Sequence, residues 1–337
     1  MFRGRGISSL VKSALAAGAL GLSLSAASVA HAEDVKIGFL VKQPEEPWFQ
    51  TEWAFAEKAA KDKGFTLLKI AVPDGEKTLS AIDSLAANGA KGFVICPPDV
   101  SLGPAIVAKS KINGLKVMAV DDRFVGSDGK FMEDVPYLGM AAFDVGRQQG
   151  EAMAAEAKKR NWKWDETYAV INTFNELDTG KQRTDGSVKA LRDAGLPEDH
   201  IIYAPQKTLD VPGSMDATSS ALVKLPGSAK HLIVGGMNDN TVLGGVRATE
   251  SAGFSAENVI GIGINGTDAI GELKKPNSGF FGSMLPSPHE EGYQTATMMY
   301  EWVTTGKEPP KYTAMDKVTL ITRENFQQEL EKIGLWK

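Results

Sequence analysis

Short apolar segments of strand length alternate with helical segments along most of this chain. Strands are predicted at 35–41, 65–72, 91–96, 115–120, 167–172, 200–204, 229–234, 258–264 and 280–285. Strands that are separated by helices pair in parallel, and parallel sheets are buried on both sides. The alternation therefore predicts an α/β fold of parallel sheets with helices on both faces.

The segments between these strands carry apolar residues at helical spacing. In the first of them, Trp48, Phe49 and Phe55 recur on one face, Pro47 suits the first helical position, and Gly64 ends the pattern. Helices are predicted at 48–63, 75–88, 101–112, 179–194, 212–224, 238–252 and 267–274. A helix is thus expected after nearly every strand.

The first 32 residues have the pattern of a secretory signal peptide. Arg3, Arg5 and Lys12 precede an apolar stretch, and small residues follow it up to Ala32. The apolar stretch is too short for a transmembrane anchor, and no stop-transfer pattern follows it. We therefore expect cleavage near Glu33 and export of the rest, rather than an uncleaved anchor.

The exported part, roughly 300 residues, is long enough to divide into two domains. Turn residues and charges interrupt the alternation at 123–137, 286–292 and 313–316, as domain boundaries do. These interruptions predict a chain that passes three times between two lobes. The predicted lobes are 33–140 plus 287–315 and 141–286 plus 316–337.

Composition and motifs argue against several kinds of protein. The formal net charge of −5 does not suit a nucleic-acid binder. Cys96 is the single cysteine, which forbids an internal disulfide, and the four histidines lack the spacing of metal ligands. GIGING at 261–266 matches a dinucleotide-binding pattern in form, but its first two glycines lie inside a predicted strand. We expect no metal and no cofactor.

Polar and aromatic residues follow the ends of several predicted strands. Ligands of open α/β sheets bind outside the carboxyl ends of the strands, so these residues are expected to face one crevice. They mix hydrogen-bond donors and acceptors in near balance, which suits the hydroxyl groups of a small sugar. Trp48 can stack on the C–H face of such a ring. The polar candidates are Lys42, Glu46, Asp121, Asp122, Arg183, Asn238, Asn265 and Asp268.

Most of these candidates also have a simpler interpretation that the sequence leaves open. Trp48 and Phe49 can be core residues on the inner face of their helix. Arg183 can be a surface residue of its helix, and Asn238 and Asp268 can be helix caps. The prediction of a sugar site therefore rests on all of these residues together rather than on any one of them.

Asp121 and Asp122 raise the question of catalysis, because paired carboxylates carry out glycoside hydrolysis. Adjacent residues in an extended segment point to opposite faces, so these acids are not expected to flank one glycosidic bond. They suit two different hydroxyl groups, or one hydroxyl and Arg183. A turn with solvated acids is the alternative.

Several longer blocks of the sequence resemble the periplasmic sugar-binding proteins of ABC importers, and among these the arabinose binders. The blocks are IGFLVKQPEEPWFQTEW, AVPDGEKTL, GAKGFVIC, AVDD, NELDT, MND, TVLGGVRATE, IGIGING and MLPSP. The resemblance implies a type I periplasmic binding protein fold, in which two similar lobes joined by a three-stranded hinge close on one pyranose. It also implies a periplasmic, monomeric protein that delivers sugar to an inner-membrane ABC permease.

The resemblance further implies roles for individual residues. Hydrogen bonds to the sugar are expected from Lys42, Glu46, Asp121, Asp122, Arg183, Asn238 and Asn265, with Trp48 stacked on the ring. Residues expected to line the site or lie directly behind it are Gln43, Phe49, Cys96, Met140, Leu177, Thr179, Met237 and Asp268.

Two departures from the family pattern bear on the ligand. Gly139 stands beside Met140 where a bulkier residue is expected, which would loosen the pocket wall, and one extra residue precedes Met237. L-arabinose is the expected sugar, with D-galactose or D-fucose as alternatives. The three differ in the substituent at C5, which Met140 is expected to meet.

Two other classes of protein share features with this chain. Sugar-responsive repressors have the same two-lobed core, but they carry an N-terminal helix-turn-helix where this chain has a signal peptide. A secreted enzyme is the alternative function, either a sugar dehydrogenase that uses GIGING or a hydrolase that uses Asp121 and Asp122. We expect a binding protein without catalytic activity and without a nucleic-acid partner.

Overall fold

The computed structural model describes residues 34–336, so the predicted signal peptide at 1–32 lies outside the described residues. In chain order the strands are β1 (Lys36–Val41), β2 (Thr66–Ala71), β3 (Ala90–Ile95), β4 (Lys116–Val120), β5 (Tyr137–Met140), β6 (Thr167–Thr173), β7 (Ile201–Pro205), β8 (His231–Gly235), β9 (Val259–Ile264), β10 (Phe280–Leu285), β11 (Thr313–Met315) and β12 (Thr319–Thr322). The α-helices are α1 (Pro47–Lys63), α2 (Gly75–Ala87), α3 (Gly103–Ile112), α4 (Ala142–Lys159), α5 (Asp178–Asp193), α6 (Val211–Leu222), α7 (Asp239–Ser251), α8 (Ile270–Leu273), α9 (Thr295–Thr305) and α10 (Phe326–Lys332).

The strands form two six-stranded sheets with equivalent strand order. The first sheet reads β2-β1-β3-β4-β5-β11, and the second reads β7-β6-β8-β9-β10-β12. Neighbouring strands run parallel, apart from β12, which pairs antiparallel with β10. The predicted α/β fold of two parallel sheets is confirmed, with β12 as an antiparallel strand at the edge of the second sheet.

The chain passes between the two sheets three times within residues 34–336. It leaves the first sheet after β5, returns to it after β10, and leaves it again between β11 and β12. The interrupted segment at 123–137 comes before the first passage, because it leads into β5, which pairs with β4. That segment folds back on itself through an isolated bridge between Val125 and Phe131.

Apolar side chains on both faces explain why the strands could be predicted from the sequence. All six residues of β9 and all seven of β6 are buried, as expected for strands covered by helices on both sides. None of the helices described between residues 34 and 336 is long and apolar enough to cross a membrane.

Candidate ligand-binding site

One cavity collects side chains from the carboxyl ends of strands in both sheets. The turn after β1 contributes Lys42 and Glu46, the end of β4 contributes Asp121, and the ends of β8 and β9 contribute Asn238 and Asn265. The complete lining is Lys42, Gln43, Glu46, Trp48, Phe49, Asp121, Asp122, Leu177, Thr179, Arg183, Leu209, Met237, Asn238 and Asn265. Most of the predicted site residues therefore meet at one place.

Three predicted residues lie outside this lining. The Cys96 Sγ lies behind the cavity, 3.8 Å from Oδ2 of both Asp121 and Asp122. Met140 lines a neighbouring cavity of about 450 Å³, which also has Thr179 in its wall. Asp268 is near enough to raise the pKa of Glu46. Leu209 is a lining residue that sequence reasoning missed, because an apolar side chain among the polar residues after β7 carries no hydrogen-bonding signal.

Asp121 and Asp122 point into the site together, which contradicts the expectation that they face opposite sides. Asp121 has φ 60°, in the left-handed region, and Asp122 donates its N–H to the Val120 carbonyl at 2.6 Å. This hydrogen bond closes a three-residue γ turn around Asp121, a strained conformation when the central φ is positive. Asp121 and Asp122 therefore lie in a turn and not in the extended segment that was predicted for them.

Asp122 is the anchored acid of the pair. Lys42 forms an ion pair with it, and the Thr179 hydroxyl donates to Asp122 Oδ1 at 2.9 Å. Burial acts to raise the pKa of Asp122, but the Lys42 charge and these hydrogen bonds outweigh burial, so the pKa lies below its ordinary value. Burial likewise opposes the charge of Lys42, yet Asp122 raises the pKa of Lys42 above its usual range.

Asp121 has weaker partners and keeps acceptor capacity. Arg183 Nη2 lies 3.5 Å from Asp121 Oδ1. Burial and the neighbouring Asp122 charge raise the pKa of Asp121, although Arg183 and Lys42 oppose this shift. Asp121 is thus the acid of the pair with room to accept from a ligand hydroxyl.

Arg183 is buried in the site rather than exposed on its helix. Its side chain is 5% exposed, and its Nη1 donates to the Met237 carbonyl at 3.1 Å. Its Nε is buried without a hydrogen-bond partner among residues 34–336. Gly146 of α4 lets the two helices approach closely here, since a Cβ at that position would lie 1.9 Å from the Arg183 carbonyl oxygen. The arginine is therefore fixed by packing, with one donor unused.

Glu46 and Asp268 bring two further acids to the site. Glu46 Oε1 accepts from Gln43 at 2.9 Å and from Asn240 at 3.5 Å. Burial and the Asp268 charge raise the pKa of Glu46 to about 7, and burial raises the pKa of Asp268 to about 6. Both acids therefore titrate near neutral pH.

The two asparagines differ in how they are held. Asn238 caps α7, its side chain accepting from the Thr241 N–H at 3.0 Å, and it also lines the cavity. The helix-cap interpretation of Asn238 is confirmed, and its contact with a ligand stays a prediction. Asn265 lies at the end of β9 with φ 112°, and its N–H donates to the Met284 carbonyl at 3.0 Å. Asp268 does not cap α8, whose N-cap is Ala269.

The remaining predictions concern glycines, aromatic residues and metals. Gly139 leaves no gap in the wall, because a Cβ there would lie 2.0 Å from the Tyr137 hydroxyl oxygen. Trp48 and Phe49 are 1% and 2% exposed, so both belong to the core while they touch the cavity. Ligand atoms of Cys96, Asp121 and Asp122 lie within 4.8 Å of one another. Lys42 and Arg183 already bring positive charge to this group, which disfavours a cation there.

Comparison with known proteins finds similar sequences along most of the chain. Residues 34–329 match the family model of periplasmic binding proteins and the sugar binding domain of the LacI family. The chain is 57% identical over 318 residues to the L-arabinose-binding periplasmic protein of Escherichia coli (strain K12), covering 94% of this chain and 96% of that protein. It is 44% identical over 303 residues to the ABC transporter L-arabinose-binding periplasmic protein of Azospirillum brasilense, with 89% and 90% covered.

Solved structures show the same fold. An ABC transporter periplasmic solute binding protein from Actinobacillus succinogenes, with bound D-allose, superposes with a TM-score of 0.72. The match covers 88% of this chain and 100% of that one at 18% sequence identity. At this identity the likeness concerns the fold alone.

Proposed function

The chain belongs to the family of periplasmic binding proteins and LacI-type sugar-binding domains, and from this premise we propose that it captures one monosaccharide at the cavity described above. It is a binding protein rather than an enzyme, like its relatives in ABC transporters. L-arabinose is the proposed ligand, because the two similar proteins are named for binding it. D-galactose and D-fucose are the proposed alternatives.

The observation that carries this proposal is a buried set of donors and acceptors drawn from both sheets. Arg183 offers an unused Nε donor, Asp121 keeps acceptor capacity, and the Asn265 amide offers both. Each sugar hydroxyl donates and accepts, so it can satisfy such groups in pairs. Trp48 adds an aromatic surface for the C–H face of the ring.

The proposed mechanism is closure of two lobes around the sugar. We place the lobes at 33–140 plus 287–315 and at 141–286 plus 316–337, with the three chain passages as the hinge. The division is supported by the strands, since β1–β5 and β11 form one sheet and β6–β10 and β12 the other. A ligand that touches both lobes is bound better by the closed arrangement and shifts the population towards it.

The proposal extends to location and partners. Residues 1–32 would direct export to the periplasm, where the mature protein acts as a monomer and delivers sugar to an inner-membrane ABC permease. The relatives named above are periplasmic, which supports this location.

Titration calorimetry with five sugars tests the function. The three sugars that share ring stereochemistry should bind in preference to D-glucose, whose C4 hydroxyl would leave buried partners unpaired. One additional carbon at C5 changes the binding free energy by about 1 to 3 kcal/mol. L-arabinose and D-galactose should therefore bind within about two orders of magnitude of each other. Substitution of Met140, which we propose lies near C5, should reorder them. Tighter binding of D-glucose or D-ribose than of both would contradict the assignment.

Solution scattering tests the mechanism separately. Saturating L-arabinose should reduce the radius of gyration, while D-glucose at the same concentration serves as the control. Superimposable profiles with and without L-arabinose would contradict hinge closure. Turnover of the sugar with or without a nicotinamide cofactor would favour the enzyme alternative.

A further inference from the structure

In the strained turn, both the backbone N–H and the backbone carbonyl of Asp121 form hydrogen bonds with residues of β5. The Asp121 N–H donates to the Leu138 carbonyl at 3.1 Å, which is the ordinary hydrogen bond between neighbouring strands. The Asp121 carbonyl accepts from the Tyr137 hydroxyl at 2.9 Å, and this bond is buried. A side chain from the neighbouring strand thus stabilises the conformation that turns both acids into the site.

Tyr137 reaches this carbonyl across Gly139, two residues along the same face of β5. A Cβ at position 139 would lie 2.0 Å from the Tyr137 hydroxyl oxygen, 2.5 Å from its Cζ and 3.0 Å from the Asp121 carbonyl oxygen. Contacts below 3.0 Å are not tolerated by real side chains, so any larger residue at 139 displaces the tyrosine ring. Glycine at this position is therefore a requirement of the Tyr137 hydrogen bond.

The tyrosine ring has little freedom to move elsewhere. It is 3% exposed, stacks on Tyr312 at 5.7 Å between ring centroids, and lies 5.9 Å from the Arg123 guanidinium. Arg123 also lies over the rings of Phe131 and Tyr312, at 5.0 Å and 5.1 Å. These contacts hold the ring where its hydroxyl meets Asp121.

We propose that Tyr137 and Gly139 form a positioning pair, in which Tyr137 holds the γ turn at Asp121 in its ligand-binding conformation and Gly139 provides the space for it. Neither residue lines the cavity, and they act on ligand binding through Asp121. The inference rests on the proposed function, since its main readout is sugar affinity.

The test compares two conservative substitutions by calorimetry with L-arabinose. Tyr137→Phe removes the hydroxyl and keeps the ring, and we expect about tenfold weaker binding because the Asp121 carbonyl loses its buried donor. Tyr312→Phe is the matched control, a stacked and half-exposed neighbour whose hydroxyl does not reach Asp121. Equal affinities of the two variants would overturn the inference.

A double-mutant cycle tests the role of Gly139. Gly139→Ala should weaken L-arabinose binding about tenfold or more in the wild-type background. In the Tyr137→Leu background, where the ring is absent, the same substitution should weaken L-arabinose binding less than about twofold. An equal cost in both backgrounds would overturn the pairing, since it would mean that Gly139 acts without Tyr137.

The same cycle on thermal unfolding separates this inference from the proposed function. If the wild-type protein binds none of the five sugars, the proposed function fails. The pairing would still predict that Gly139→Ala lowers the melting temperature more in the wild-type background than beside Tyr137→Leu. Equal decreases would overturn it.

Discussion

The two sheets reach the site in the same way but support it differently. Counted across each sheet, the fourth strand is β4 in the first and β9 in the second. Each of these strands is followed by a residue with positive φ that is not glycine, Asp121 after β4 and Asn265 after β9. Each of these residues donates its N–H to the neighbouring strand, at 3.1 Å to Leu138 and 3.0 Å to Met284. Equivalent topology thus places a residue with an unfavourable positive φ at the same position of both sheets.

Behind Asn265 the buried carboxylate of Asp239 has several hydrogen-bond partners. Asp239 accepts from the backbone N–H of Gly266 at 2.8 Å and of Ala269 at 3.2 Å, and from the Ser283 hydroxyl. The carboxylate therefore holds together the loop that carries Asn265. Asp239 is thus hydrogen-bonded without a ligand, although burial and the Asp268 charge raise its pKa well above the ordinary value.

Behind Asp121 the buried polar groups are less well satisfied. Glu52 of α1 and Glu291 are both fully buried, and their carboxyl oxygens make no well-formed hydrogen bond with other residues of the 34–336 range. Burial raises the pKa of Glu52 to about 8 and raises that of Glu291 well above its ordinary value. The halves thus differ in how their buried acids are held, with hydrogen-bond donors around Asp239 and without them around Glu52 and Glu291.

The largest expected effect is the response of stability to pH when Glu52 is replaced. A carboxyl with a raised folded pKa stabilises the fold at pH values below its unfolded pKa, and this contribution is lost as the pH rises through the folded value. Between pH 5 and pH 8 the wild-type protein should lose up to roughly 4 kcal/mol relative to Glu52→Gln, at about 1.4 kcal/mol per pH unit. Urea unfolding at four pH values measures this difference.

Several charged groups share the environment of Glu52 and bear on this prediction. Glu291 and Asp121 are neighbouring acids, whereas the Lys42 charge favours the charged form of Glu52. Glu57→Gln is the matched control, because Glu57 lies on the same helix, half exposed and paired with Lys69. Parallel stability curves for Glu52→Gln and the wild type would contradict a raised pKa of Glu52.

The second prediction concerns the charged anchor of the first half. Asp122→Asn keeps an acceptor for Thr179 but leaves the Lys42 charge unpaired once the site closes. An unpaired buried charge costs about 3 kcal/mol, so L-arabinose affinity should fall about a hundredfold. Asp193→Asn, which breaks an exposed pair with Lys189 on α5, should leave affinity unchanged. Equal affinities in the two variants would remove Asp122 from the site.

The sequence predicted long elements well and short ones poorly. The nine predicted strands correspond to β1–β4 and β6–β10, whose apolar runs are long enough to be recognised. β5 and β11 have four and three residues, too few for a periodic signal. α4 was missed although it has 18 residues, since glycines at 146 and 150 weaken its apolar pattern. Those glycines are required by close packing against α5.

For the site, sequence reasoning found most of the residues that line the cavity but not how they are oriented. Strand ends and family resemblance identified the residue set, because both depend on position in the chain. The turn at Asp121 depends on a hydroxyl from β5, and the pKa of Glu52 depends on Glu291, which is far away in sequence. Such long-range contacts leave no local pattern, so Tyr137, Glu52 and Glu291 were not predicted.

The smallest expected effect concerns Asn238, where the second half combines a structural and a ligand-binding role. Asn238→Ala removes the cap of α7 and should cost about 1 kcal/mol of unfolding free energy in addition to affinity. Asn238→Ser retains a side chain that caps as well as asparagine, so stability should stay near the wild-type value. Loss of the amide should still weaken L-arabinose binding about tenfold, because a hydroxyl cannot replace its two donors.

Comparing the two Asn238 variants by urea unfolding and calorimetry separates the two roles. If Asn238→Ser binds L-arabinose like the wild type, Asn238 serves only as the cap of α7. The hydrogen bonds from the second half to the sugar would then come from Arg183 and Asn265. If Asn238→Ala and Asn238→Ser lose the same stability, the side-chain cap contributes little, and Asp239 holds the loop that carries Asn265 without it. The predicted combination, with stability retained and affinity lost in the serine variant, requires that one side chain serve both roles through different atoms: its Oδ1 accepts from Thr241, and its amide nitrogen faces the ligand.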